Sequence, residues 1–198
     1  MHIIFGQELE GCPVPDSEQG INKAVFGPRG MIDFLEQRLG LPPVSTTQAT
    51  RLLVYREALQ KTVEQQGGFF DKSFPIDPIG SSKVLLRWRD NLRLNGWRSD
   101  SDFRDNAPTR LADLAAVELI FRDLCDDKIH DEAARLERIA AQLGKDHSPK
   151  IDRVDLVETL AHFPIAWRAV LRKLPATEQA FPSPQDALAS PGTALHAV

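Results

Sequence analysis

Apolar residues along this chain recur mostly at the three-to-four-residue spacing of a buried helix face, interrupted by two runs too short to be helices. Met31, Ile32, Phe34, Leu35 and Leu39 predict a first helix, which Gly40 and Pro42 close. Leu52, Leu53, Tyr55, Leu59 and Val63 predict a second, with Ser45, Thr46 and Thr47 as N-cap candidates and Gly67 and Gly68 at its end. The stretch "FFDKSFPIDPIG" carries three phenylalanines and two prolines, so it predicts a short helical turn and a kinked link. Asp77 or Ser81 would then cap a third helix from about Ser82 to Asn95. Thr109 opens a fourth, "RLADLAAVELIFRDLCDD", and "DEAARLERIAAQLG" is an amphipathic fifth that stops at Gly144. Pro164 stands in the first turn of a sixth, "IAWRAVLRKL", where its missing N–H costs nothing.

The two short runs read as strands. "HIIFG", His2 to Gly6, is β-prone and ends on glycine, and "KIDRVDLVE" places Ile151, Val154, Leu156 and Val157 after a polar turn. Between the first strand and the first helix, Gly11, Pro13, Pro15, Gly20, Gly27, Pro28 and Gly30 predict one long loop. From Pro175 onward the chain has four prolines and no lysine or arginine, which predicts a poorly ordered tail or the truncated start of a next segment. The pattern as a whole predicts a helix-dominated α/β chain with a few short strands, a domain over residues 1–174 and a Pro-rich tail over 175–198. No internal repeat is visible.

Composition narrows the class. With 198 residues, 42% hydrophobic and 26% charged, the chain has the make-up of a soluble globular protein. No apolar run approaches the ~20 residues that span a bilayer, so no membrane partner is expected. "MHIIFGQELEG" has no basic flank before a long apolar region and is not a signal peptide. Cys12 and Cys125 are isolated, without CxxC spacing, as reduced thiols of a cytoplasmic protein would be. The formal charge of -4 opposes a globally basic nucleic-acid binder, yet Lys83, Arg87, Arg89, Arg93 and Arg98 crowd one segment with only Asp90 against them.

Candidate chemistry is sparse. A Walker A loop needs GxxxxGK[ST] between strand and helix, because backbone N–H groups and a lysine must converge on phosphates. Here more than twenty residues follow the strand, and Gly30 precedes Met31 and Ile32, so the lysine and the hydroxyl are missing. "GPRG" reads first as a structural turn, with phosphate binding by its backbone and Arg29 as the alternative. Asp126, Asp127, His130, Asp131 and Glu132 could be imagined around a metal, but their spacing fits a solvated helix cap better and matches no metal motif. The remaining histidines are scattered and no nucleophile arrangement stands out, so neither a catalytic residue nor a metal site is predicted. In "KVLLRWRDNLRLNGWR", Val84, Leu85, Trp88 and Leu92 form the expected buried stripe, leaving Lys83, Arg87 and Arg93 for solvent or a phosphate backbone.

Taken together, "GPRGMIDFLEQRLGL", "FFDKSFPIDPIGSSKVLLRWRDNLRLNGW", "LADLAAVE" and "VDLVETLAHFPIAWRAVLRKL" resemble the N-terminal region of the bacterial AddB/RexB-like helicase-nuclease proteins. These are inactivated superfamily I helicases with a C-terminal PD-(D/E)XK nuclease. The resemblance covers most of Met1 to Leu174 and only the beginning of such a protein; its most specific part is the order of strand, linker, "LLRWRDNL" helix and "GW". It implies a degenerate P-loop helicase-like domain with short parallel strands, and a non-catalytic scaffold that contacts DNA during end processing, recombination and double-strand break repair. ATP and magnesium would belong to other parts of the complex, and none of the nuclease ligands falls within this sequence. Arg29, Lys83, Arg87 and Arg93 are the expected DNA contacts. The alternatives are a stand-alone protein-interaction domain without DNA binding and, more remotely, a small metal-dependent nuclease.

Overall fold

The computed structural model describes residues 1–11, 22–43, 47–99, 109–125, 130–143 and 149–178. Four short strands form one parallel sheet: β1 (His2–Phe5), β2 (Lys23–Phe26), β3 (Arg153–Leu156) and β4 (Ala176–Glu178), in the order β2-β1-β3-β4. Ile3 of the central strand lies opposite Ala24 on one side and Val154 on the other, and Val154 in turn faces Ala176. Ile3, Phe5, Val154 and Leu156 are fully buried, as expected of strands covered by helices.

Among the described residues, six helices surround this sheet or pack beside it: α1 (Pro28–Arg38), α2 (Gln48–Gln65), α3 (Pro78–Leu94), α4 (Thr109–Leu124), α5 (Glu132–Leu143) and α6 (Ile165–Leu171). The helix-dominated α/β class read from the sequence therefore holds. Local chemistry sets the ends: the Thr47 hydroxyl accepts from the Thr50 N–H at 3.1 Å to cap α2, and Asp77 accepts from the Gly80 N–H at 2.8 Å to cap α3. At the far end of α2 the N–H of Gly67 donates to the carbonyl of Thr62 at 3.1 Å. None of the described helices is long and apolar enough to cross a membrane.

Two hydrophobic cores result. In the first, the strands meet Met31, Ile32 and Leu35 of α1, Leu136 and Ile139 of α5, and Trp167, Val170 and Leu171 of α6. Phe5 sits at its centre, with its ring centroid 4.7 Å from Trp167 and 5.3 Å from Phe163. The second joins Tyr55, Ala58 and Leu59 of α2, Leu85 and Leu86 of α3, and Leu114, Val117 and Phe121 of α4, with Phe70 and Phe74 from the link before α3.

Four expectations change, among them the start of α3, which falls at Pro78 rather than about Ser82. Residues 23–26, assigned to a long loop, form β2: four residues are too few to display a period, and their order comes from pairing with β1. Ala176–Glu178 form β4, so the sheet extends past the expected boundary at Leu174. Helix α1 starts at Pro28 rather than Met31, with proline at its first position and Arg29 and Gly30 inside its first turn. The rest of the Pro-rich tail, Cys12, Asp126, Asp127 and Gly144 lie outside the described residues.

Candidate nucleic-acid interface

In an open parallel sheet, ligands bind outside the carboxyl ends of the strands where the chain order reverses. Here the chain leaves β1 toward β2 and leaves β3 toward β4, so the reversal falls between the ends of β1 and β3. That crevice is filled by the chain itself. The Gln7 N–H donates to Glu158 Oε1 at 3.0 Å, and the Gln7 side chain donates to the His162 carbonyl at 3.2 Å. Gly6 packs so tightly that a Cβ there would stand 3.0 Å from the Val157 Cβ.

The N-terminus of α1, where "GPRG" lies, is also taken. Its exposed N–H groups and helix dipole favour an anion, and Glu10 supplies one: the Arg29 N–H donates to Glu10 Oε2 at 2.8 Å. Gly27 lets the Glu10 backbone approach so closely that any Cβ would overlap it. The Arg29 side chain is exposed and lines a groove of about 1280 Å³ that also holds Asp33, Glu36, Arg51, Glu132 and Arg135. This groove is mixed in charge, and Arg135 is committed within it to Asp33 and Glu36, both at 2.6 Å.

Helix α3 separates the other expected contacts. Lys83 and Arg87 stand one turn apart on its exposed side and line a second cleft of about 480 Å³. Neither forms an ion pair among the described residues. The exposed positions of α3 are Ile79, Lys83, Val84, Arg87, Trp88 and Asn91, and none is acidic. Arg93 projects from the opposite side, with 19% of its side chain exposed, and lies 3.5 Å from Asp131 and 3.8 Å from both Glu118 and Glu137. It therefore faces the interior rather than the surface that Lys83 and Arg87 share.

Behind α3 lies a cluster the sequence reading missed. Arg89 is 5% exposed and grips Glu118 with two bonds, Nε to Oε2 at 2.7 Å and Nη2 to Oε1 at 2.8 Å. Its remaining nitrogen pairs with Asp131 and, at 2.9 Å, with Asp90, while its guanidinium lies 5.1 Å over the Phe121 ring. Arg51 of α2 reaches Asp90 at 2.7 Å. Burial disfavours the Arg89 charge, yet its bond to Glu118 and the nearby carboxylates hold its pKa above the ordinary arginine value. Burial would likewise raise Asp131, but Arg89, Arg93, the Ala134 N–H and Arg51 outweigh it and hold that carboxyl below the usual aspartate range.

Arg51, Arg89 and Arg93 face Asp90, Glu118 and Asp131, so the formal charges of the cluster cancel. Inside the fold, the charges of this cluster are engaged with one another. Beside it, burial and then Glu118 raise the Tyr55 hydroxyl. The Cys125 thiol is pushed up to about 11, first by burial, which favours its protonated form. Asp131 also caps α5 through the Ala134 N–H at 2.6 Å, and Glu132 accepts from the Trp167 indole at 2.8 Å, so these acids serve separate structural partners. Among the described residues no group of three or more metal-ligating side chains converges.

A signal for this cluster was present in the sequence. Glu118 falls in phase with the apolar Leu114, Val117 and Phe121 of α4, and Arg89 falls in phase with Ser82, Leu85 and Leu86. The chain matches no protein-family model and no curated protein sequence.

Proposed function

We propose that this chain is a non-catalytic, DNA-contacting scaffold domain of a helicase-nuclease that acts in DNA end processing, recombination and double-strand break repair. The family-like segments support the reading, as does a parallel sheet in which Glu158 holds the strand-end crevice and Glu10 the N-terminus of α1. The observation that carries DNA contact is the exposed side of α3, where Lys83 and Arg87 form no ion pair among the described residues, while Asp90, Asp131 and Glu132 line the same cleft. On this reading the chain works in the cytoplasm as part of a larger assembly, and ATP and magnesium act elsewhere in it.

Fluorescence anisotropy with a labelled oligonucleotide tests the proposal. Binding at low salt should weaken as salt rises, and Lys83→Glu with Arg87→Glu should flatten the logarithmic salt slope by about 1.4 for a single strand. Absence of binding at low salt, or a double variant that binds as the parent does, would remove DNA contact. A measurable affinity for ATP in calorimetry would remove the non-catalytic assignment.

A second reading, a stand-alone protein-interaction domain, draws on Ile76, which is 85% exposed in the link before α3. Self-association that Ile76→Asp abolishes, in a chain that does not bind DNA, would favour it.

A further inference from the structure

We propose that the exposed side of α3 binds single-stranded DNA by stacking a base on Trp88, with Phe69 as the adjoining ring and Lys83, Arg87 and Arg110 beside the neighbouring phosphates. The inference rests on the DNA-contacting reading above and names the form of DNA that this surface selects.

An indole is large and apolar, and chains normally bury it. Trp167 is 1% exposed and Trp97 packs partly buried against the helical core, but Trp88 is 41% exposed. Its nearest aromatic neighbour is Phe69, itself 36% exposed, with the two rings within 16° of parallel and their centroids 6.4 Å apart. This platform is held in place from behind. The Phe69 N–H donates to Asp113 Oδ2 at 2.8 Å, its ring meets buried Phe70 edge-on at 5.2 Å, and the Arg110 guanidinium lies 5.6 Å over it. Ordered aromatic faces bind bases at low entropic cost, and every base offers a face to stack on.

The charges around the rings identify the occupant. Arg87 directly precedes Trp88 in α3, Lys83 lies one turn before Arg87, the Arg110 guanidinium lies over Phe69, and no exposed residue of α3 is acidic. Asp113 is engaged by the N–H of Phe69 itself. Paired aromatic faces flanked by cations complement a strand with alternating bases and phosphates. A duplex hides its base faces in the stack, so the same surface distinguishes the two forms.

The test uses the full chain with three probes: an oligothymidylate, an abasic oligomer of equal length, and a duplex. Oligothymidylate should bind more tightly than either and quench tryptophan fluorescence, and the quenching should vanish in Trp88→Ala. That variant should weaken oligothymidylate binding by roughly 5- to 150-fold while leaving the abasic oligomer unchanged, and Trp88→Phe should retain most of the affinity. Circular dichroism checks that both variants fold. If the abasic oligomer binds as tightly as oligothymidylate and Trp88→Ala alters neither, stacking is overturned while DNA contact by the cations stands. If none of the three probes binds at low salt, both readings fall. If Trp88→Ala abolishes self-association and leaves DNA affinity intact, the surface is a protein interface and the inference is overturned.

Discussion

The two cores of this protein are closed by different physics. Around the sheet, Phe5, Phe163 and Trp167 stack among aliphatic residues of α1, α5 and α6, and burial of apolar surface dominates, with the buried carboxylates Glu36 and Asp155 each paired, to Arg135 and to His2 and Arg153. Among α2, α3 and α4 the apolar interior gives way at one side to Arg89, Glu118 and Asp131, all nearly inaccessible to water. Apolar contact has little directional preference, whereas a bidentate arginine and its carboxylates demand one arrangement. Because Asp131 heads α5, which belongs to the sheet core, the charge cluster ties the helical core to the sheet core in one register.

The largest expected effects come from striking each core at its centre. Arg89→Ala leaves Glu118 and Asp131 buried without their main partner and should cost about 3–5 kcal/mol in chemical denaturation. Trp167→Ala should cost about 3–5 kcal/mol through its cavity. Hydrogen exchange should separate the two, with amides of α2, α3 and α4 losing protection in the first and those of β1, β3 and α6 in the second. Arg89→Met combined with Glu118→Leu should recover much of the loss, because an apolar pair needs no counter-charge. A double variant as unstable as Arg89→Ala would assign the loss to shape rather than charge.

A smaller effect follows from acid. The Asp131 pKa is lowered in the fold, so its contribution is complete above the ordinary aspartate range and disappears as pH falls through the depressed value. Asp131→Asn should therefore lower stability at neutral pH by about 1–3 kcal/mol. The gap to the parent should begin to close below about pH 4 and vanish as pH falls through the depressed value, as followed by thermal melts across pH. The smallest effect concerns its neighbour and has the opposite sign. Burial raises the Glu132 pKa more than the Trp167 bond lowers it, so its ionisation opposes folding above that pKa. Glu132→Gln keeps an acceptor for the indole and should melt slightly higher at neutral pH, an advantage that acid removes.

Much of the helical scaffold was legible in the sequence. The existence of α2, α4 and α5 and the caps at Thr47 and Asp77 are local, and the structure reproduces them; of the expected α2 stripe, Tyr55 and Leu59 are buried, while Leu53 is exposed and Arg51, Ala58 and Thr62 face inward instead. The central strands β1 and β3 were legible too. What escaped depended on distant partners: β2 and β4 are too short to show a period and are ordered by their neighbours in the sheet. The same holds for the phase of α3. Its pattern allowed Val84, Leu85, Trp88 and Leu92 to face inward, but the buried residues are Ser82, Leu85, Leu86 and Arg89. A rotation of part of a turn separates these choices, and the carboxylates that decide it lie 29 and 42 residues from Arg89. That rotation turns Trp88 outward and Arg93 inward, which made Lys83 and Arg87 readable as a surface pair and Arg93 not.

The sheet order has a consequence for how the chain is made. Strand β1 is the first of the described elements to be synthesised, yet β3, one of its two neighbours, follows only after α1 to α5, as the pairing of Ile3 with Val154 requires. At ~5–20 residues per second, a nascent chain carries that unpaired edge for roughly 8–30 s. During this interval α2, α3 and α4 can already consolidate through contacts close in sequence. The exposed edge of "HIIF" is then the most vulnerable part of the molecule, open to pairing with another chain until β3 arrives.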